Sequence, residues 1–128
     1  MSGTGHPAWN SGLLRIRKSG GFLKGAISMP ASKSESNRAL IIQALCRKPG
    51  RISNLSESED TRILQKILDK SRSESSPPVC FHTGNAGTAM RFLAAFFAAR
   101  EGEVTLSGTE QMKRRPVGDL VEALKQLG

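Results

Sequence analysis

Short apolar segments alternate with helices that begin in clusters of small polar residues, and this alternation constrains the fold most. Residues 79–82 and 103–107 have the composition of short strands, and the small residues 84–88 open an apolar helical stretch that reaches about residue 100. Strands and helices recur in pairs at roughly similar intervals, which indicates crossover connections between the strands. The sequence therefore predicts a mixed α/β fold.

The same signals predict the other elements. Two short opening strands are predicted on either side of the Ser19-Gly20-Gly21 turn, from the apolar residues Leu13, Ile16, Phe22, Leu23 and Ile27, and Pro30 closes this segment. Ser34 is the predicted N-cap of a helix that Pro49-Gly50 stops, and Pro116 is predicted at the start of the last helix. The remaining predictions are a strand over 51–55, a helix after 56–60, a polar linker over 71–78, a loop over 108–115 and the last helix over 117–127. The predicted order is β-β-α-β-α-β-α-β-α.

The charge balance narrows the classes of partner. A chain of 128 residues suits one modest domain, and its 19 basic against 11 acidic side chains give a net charge of +8. Most of the excess lies in residues 1–64. Such a surface suits nucleic acid, an anionic membrane or small anionic metabolites. Five phenylalanines, one tryptophan and no tyrosine leave few rings for base stacking, which disfavours a single-strand nucleic-acid binder.

The sequence also indicates where in the cell the protein resides. The longest apolar stretch, residues 86–99, is short and interrupted by polar side chains, so a transmembrane helix is excluded. Residues 1–12 are predicted as a flexible tail, because they are polar and lack the apolar core of a secretory signal. Cys46 and Cys80 are far apart and form no CxxC motif, so buried reduced thiols and a cytoplasmic location are expected.

Three segments combine small residues, a helix start and cations, which makes each a candidate anion site. The first holds Lys33, Ser34 and Arg38, whose ammonium, hydroxyl and guanidinium groups suit a phosphate or a carboxylate. The second is GNAGTAMR at 84–91, where glycines allow a ligand to approach the backbone closely. The third is the basic run before Pro116. In each case the simpler explanation is a capped helix with solvated cations. No spacing typical of metal ligands occurs.

Four segments together resemble the EPSP synthase (3-phosphoshikimate 1-carboxyvinyltransferase) family. The segment PASKSESNRALIIQAL is similar to the family signature PGSKSxSNRALLLAAL, and SESEDTRILQKIL is similar to the next helix of the family. GNAGTAMRFLAAFFA is similar to GNAGTAMRPL, and MKRRPVGDLVEALKQLG is similar to MxxRPxxxLxxALxxLG. The matches occur in the family's order and cover most of residues 14–128.

The resemblance implies a reaction of the shikimate pathway, which supplies chorismate and the aromatic amino acids. The enolpyruvyl group of phosphoenolpyruvate is transferred to the 5-hydroxyl of shikimate 3-phosphate, and phosphate is released. By this resemblance Lys33 is catalytic and contacts both substrates, and Ser34 and Arg38 bind shikimate 3-phosphate. The residues implied for phosphoenolpyruvate are Lys33, Asn85, Gly87 and Arg115, with Thr88 and Arg91 in support. It implies no metal, cofactor, nucleic-acid or membrane partner, and a monomeric parent enzyme.

The resemblance further implies a truncated enolpyruvyl-transferase domain built from βαβαββ-type units. Residues 13–128 are expected to hold its opening strands, one unit and part of a second, and to be inactive alone. Besides a non-catalytic domain that folds only with a partner, two alternatives remain open at this point. One is a small basic nucleic-acid-binding module, favoured by the net charge of +8 and by Lys113-Arg114-Arg115. The other is the related enolpyruvyl transferase that acts on UDP-N-acetylglucosamine.

Overall fold

Helices and a small parallel sheet make up the computed structural model, which describes residues 20–22, 24–73 and 79–128. The elements in chain order are α1 (Lys33–Leu45), α2 (Glu59–Ser73), β1 (Val79–His82), α3 (Gly87–Ala98), β2 (Val104–Ser107), α4 (Glu110–Lys113) and α5 (Gly118–Gln126). The predicted mixed α/β class is confirmed. No helix among these residues is long and apolar enough to cross a membrane.

The two strands form a parallel pair, and α3 is the crossover connection between them. Val79 is paired with Val104, and His82 with Ser107. Thr83 extends the pairing, because its backbone N–H and its hydroxyl donate to the Ser107 carbonyl oxygen at 2.8 and 3.1 Å. Parallel strands end at the same edge of a sheet. The loops that follow β1 and β2 therefore meet at that edge.

A core of apolar side chains joins α1, α2 and α3 to β1. Leu64 of α2 and Leu93 of α3 are fully buried. Around them lie the other members of the core, Leu40, Ile67, Leu68, Phe81, Ala86, Ala89 and Phe96. Burial of one large apolar side chain contributes roughly 1.5–3 kcal/mol. The core therefore fixes the start of α3 relative to the sheet and to the other two helices.

A buried polar network connects α1 to the start of α2. Thr61 donates its hydroxyl to Asn37 Oδ1 at 2.8 Å, and both side chains are almost completely buried. Ser36 Oγ accepts the backbone N–H of Ser56 at 2.9 Å. Among the described residues, Asn37 Nδ2 has no hydrogen-bond partner. Because Ser36 and Asn37 face inward, the neighbouring side chains of Lys33, Ser34 and Arg38 are left exposed.

The N-cap of α1 differs from the prediction. Ser32, not Ser34, has the extended backbone that an N-cap needs, and its Oγ accepts the Glu35 N–H at 3.3 Å. Ser34 lies inside the first turn. Lys33 is consequently the first residue of the helix. Serines two positions apart offer the same capping chemistry, so the backbone conformation decides between them.

Two predicted strands are absent from the described residues. No described segment pairs with residues 51–55 or with the described part of the opening strand that ends before Pro30. Ile27 is exposed, and Asn54 has a φ of +56°, which interrupts an extended conformation. Ile52 and Leu55 instead pack against the core. The predicted tail over 1–12 and the strand residues 13–19 and Leu23 lie outside the described residues.

Three other element boundaries in the structure differ from those predicted from the sequence. Helix α2 takes in residues 71–73 of the predicted linker, where the Ser71 hydroxyl donates to the Leu68 carbonyl oxygen at 2.8 Å; residues 74–78 lie outside the description. The predicted loop over 108–115 contains the short helix α4, because Thr109 caps it by accepting the Met112 N–H. Helix α5 begins at Gly118 after Val117, so Pro116 precedes it.

The prediction of buried cysteines is wrong. Cys46 is the exposed C-cap residue of α1, and Cys80 lies on the exposed face of β1. Successive strand residues point to opposite faces, and Phe81 takes the buried face. Both thiols are free.

Candidate anion site at the start of helix α3

Helix α3 begins without a side-chain cap. Its N-cap is Ala86, which offers no hydrogen-bond acceptor on its side chain. The turn before it requires Gly84, whose φ of +57° lies in the left-handed region. Unpaired N–H groups and the positive end of the helix dipole both favour a negative charge at such a position. The local structure is therefore suited to an anion.

Arg115 lies directly against this helix start. A Cβ atom added at Gly87 would collide with Arg115 Nη1, and would lie 3.4 Å from Arg91 Nη1. Two guanidinium groups from separate segments thus meet at one glycine. No carboxylate in the described part of the chain forms an ion pair with either of them. The structure therefore brings Gly87, Arg91 and Arg115 together, and guanidinium groups at a helix start are suited to an anion.

Arg91 holds the segment that carries Arg115. Its Nη1 donates to the Gly87 carbonyl oxygen at 3.3 Å, and its Nη2 donates to the Pro116 carbonyl oxygen at 2.9 Å. One guanidinium therefore links the first turn of α3 to the residue that follows Arg115. Its planar array of donors allows both bonds to form at once. Thr88, also in this first turn, is half-buried.

The loop after β2 packs tightly on the loop after β1. A Cβ atom at Gly108 would lie 2.8 Å from the Gly84 carbonyl oxygen, which accepts the Thr109 N–H at 3.1 Å. The Thr109 hydroxyl donates to Asn85 Oδ1. Thr109 thus connects the glycine-rich loop to α4, the helix that leads to Arg115. Sequence reasoning missed Thr109, because a single threonine in a polar segment carries no distinctive signal.

The α1 residues form a separate group. Lys33 Nζ lies 3.7 Å from Asp60 Oδ2, and these side chains are 46% and 22% exposed. Ser34 and Arg38 are exposed on the same helix. Among the described residues, no hydrogen bond or ion pair connects Lys33, Ser34 or Arg38 to the start of α3. Sequence reasoning missed Asp60 as the partner of Lys33, because Asp60 is one of two acidic residues in the first turn of α2 and carries no further signal.

The basic run before Pro116 is not a uniform patch. Lys113 Nζ forms an ion pair with Glu110 Oε1 at 2.6 Å, whereas Arg115 lies at Gly87. Arg114 is exposed. Within the described ranges there is no cluster of three or more histidine, cysteine or acidic side chains that could hold a metal ion. The anion-binding features are therefore concentrated at the start of α3.

These features define an α/β unit with a candidate anion site at a helix N-terminus. A sequence model of the family described as EPSP synthase (3-phosphoshikimate 1-carboxyvinyltransferase) matches residues 18–74 and 65–128. The chain therefore belongs to the EPSP synthase family, as its motifs predicted. The comparisons do not support the nucleic-acid-binding alternative.

Curated relatives agree with this membership. A protein of Bacteroides fragilis named 3-phosphoshikimate 1-carboxyvinyltransferase is 45% identical over 106 residues, which cover 83% of this chain and 24% of the relative. Relatives of the same name from Vibrio campbellii and from Sulfurovum sp. are 40% and 39% identical, over 83% and 84% of the chain and 30% of each relative. The chain thus spans about a quarter to a third of the length of these relatives.

Proposed function

We propose that this chain supplies part of the substrate site of a cytoplasmic EPSP synthase. The reaction transfers the enolpyruvyl group of phosphoenolpyruvate to the 5-hydroxyl of shikimate 3-phosphate and releases phosphate. The observation that carries the proposal is the contact of Arg115 with Gly87, beside Arg91, at the uncapped start of α3. A cytoplasmic location agrees with the two free thiols.

Phosphoenolpyruvate is the proposed ligand of the α3 site. It carries a tetrahedral phosphate and a planar carboxylate, and a guanidinium can bind either group through two parallel hydrogen bonds. Arg115 has no carboxylate partner among the described residues, so it is available to make them. Gly87 leaves space for this side chain and for the ligand, and Asn85 adds amide donors. Thr88 and Arg91 support the first turn and the Arg115 segment.

The same groups can assist the chemistry as well as binding. Negative charge develops on the phosphate as it leaves, and fixed donors aimed at that charge lower the barrier. Arg115 and the Thr88 and Ala89 N–H groups in the first turn of α3 are such donors, whereas the Gly87 N–H already donates to the Asn85 backbone carbonyl oxygen at 2.9 Å. Because they are held before the ligand arrives, little reorganisation is needed during the reaction.

Shikimate 3-phosphate is the proposed ligand of the α1 group. Ser34 and Arg38 are four residues apart and therefore lie on one face of the helix, where a hydroxyl and a guanidinium can bind one phosphate. Lys33 is the first residue of α1, and its ammonium is a mobile point charge that can contact both substrates. Because the chain spans 24% and 30% of the relatives compared, we propose that it binds substrate without turnover.

The proposal is tested by replacing Arg115 with glutamine and measuring phosphoenolpyruvate affinity by calorimetric titration. Loss of a charge-assisted contact is expected to weaken binding roughly tenfold to hundredfold. The matched control is Arg114→Gln, which removes the same charge from the adjacent exposed residue. This control is expected to change affinity by less than about twofold, because exposed charges at a distance are screened. Equal losses of affinity in the two variants would mean that the positive charge of this region attracts anions without a specific site.

A further inference from the structure

We propose that Thr109 is a positioning residue that orients the Asn85 side-chain amide toward the bound anion, a role that rests on the proposed function. Thr109 lies in the loop after β2, and Asn85 lies in the loop after β1. The two loops are in direct contact, because the Thr109 N–H donates to the Gly84 carbonyl oxygen at 3.1 Å. The Thr109 hydroxyl is thereby held beside the Asn85 side chain.

The direction of the hydrogen bond decides how the amide is oriented. A hydroxyl has one proton to donate. Thr109 Oγ1 accepts the Met112 N–H at 3.3 Å and donates its proton to Asn85 Oδ1. The carbonyl end of the Asn85 amide is consequently occupied. Its Nδ2, with two N–H donors, forms no hydrogen bond to the described residues and is available to a ligand.

This orientation matters because one end of an amide attracts an anion and the other end repels it. An NH₂ group directed at a phosphate or carboxylate donates hydrogen bonds, whereas a carbonyl oxygen in its place repels the anion. Asn85 precedes Gly87 by two residues, at the point where Arg115 meets the helix start. Thr109 thus determines which end of the Asn85 side-chain amide faces the ligand, without itself contacting the ligand.

A competing explanation is that Thr109 acts only through α4. Its hydroxyl caps that helix, and the Arg115 N–H donates to the Met112 carbonyl oxygen at 2.9 Å. Loss of the cap could therefore displace Arg115 and weaken binding with no part played by Asn85. A test must separate the two routes.

The first arm of the test uses the free 128-residue chain. In ¹⁵N–¹H spectra, Thr109→Val is expected to shift and broaden the Asn85 NH₂ cross-peaks, because the carbonyl end loses its donor. Thr109→Ser retains the hydroxyl and is expected to keep them near their original positions. Asn85→Ala assigns these cross-peaks by removing them. Unchanged Asn85 cross-peaks in Thr109→Val would overturn the inference.

The second arm is a double-mutant cycle on phosphoenolpyruvate affinity, with Thr109→Val and Asn85→Ala alone and combined. Each single substitution is expected to weaken binding about tenfold, and the double variant no more than either, because Thr109 acts through Asn85. Losses that multiply in the double variant would overturn the inference in favour of the α4 route. If the wild-type chain binds phosphoenolpyruvate no better than sulfate, the proposed function fails, and the Asn85 cross-peaks alone decide the orienting role.

Discussion

Replacement of Gly87 by alanine is expected to weaken phosphoenolpyruvate binding at least about tenfold while leaving the fold intact. The added Cβ would occupy the space that Arg115 Nη1 now fills. The end of a long, exposed side chain can move aside at little cost, so the helix keeps its place and the guanidinium leaves the site. Calorimetric titration measures the loss of affinity, and a thermal unfolding curve checks that the fold is retained.

The matched control is Gly118→Ala. Gly118 is also the first residue of a helix, but a Cβ atom there would meet no atom within 4 Å. Both substitutions should change helix propensity by the same amount, up to about 1 kcal/mol in favour of alanine. Affinity should remain at the wild-type level in Gly118→Ala. Equal affinities in the two variants would contradict the placement of Arg115 against the start of α3.

Replacement of Leu93 by alanine is expected to lower the free energy of unfolding by about 2–5 kcal/mol. Leu93 is fully buried in α3, where it packs in the core shared with α1, α2 and β1. Its truncation removes apolar contacts and leaves a cavity that the surrounding helices fill only in part. Urea unfolding followed by circular dichroism measures the change. Because a domain of this size has only about 5–15 kcal/mol of stability, this variant should lose much of its resistance to urea.

Leu127→Ala provides the comparison for the core. It makes the same chemical change at a side chain that is 84% exposed, beyond the end of α5. A change of less than about 0.5 kcal/mol is expected there. A loss of similar size in both variants would show that α3 does not form the centre of the core.

The elements near the site were the most predictable from sequence. The strand β1 and the helix α3 have strong local signals, a short β-rich apolar run followed by small residues and then a continuous apolar stretch. The crossover connection that the sequence indicated is the kind that the parallel strands β1 and β2 require. Local patterns did not decide whether residues 51–55 and the segment before Pro30 form strands, because a strand needs a partner that its own sequence does not specify.

The site was predictable in its residues but not in its contacts. The motifs indicated Gly87, Arg91 and Arg115, yet only the meeting of two loops at one sheet edge explains why Arg115 lies at Gly87. The choice of Ser32 over Ser34 as N-cap depends on backbone angles that neighbouring serines do not encode. The partners Asp60 and Thr109 depend on tertiary packing, and neither lies in the segments proposed to bind substrate.

The central claim is that an anionic substrate binds at the start of α3, and a residue-resolved titration tests it most directly. The ¹⁵N-labelled chain is titrated with phosphoenolpyruvate, and a parallel sample receives sulfate at equal ionic strength. Selective shifts of the Gly87, Thr88 and Ala89 amides and of the Arg115 side chain are expected, at concentrations where sulfate produces none. Shifts spread evenly over exposed lysines and arginines, or the same response to both anions, would contradict a specific site.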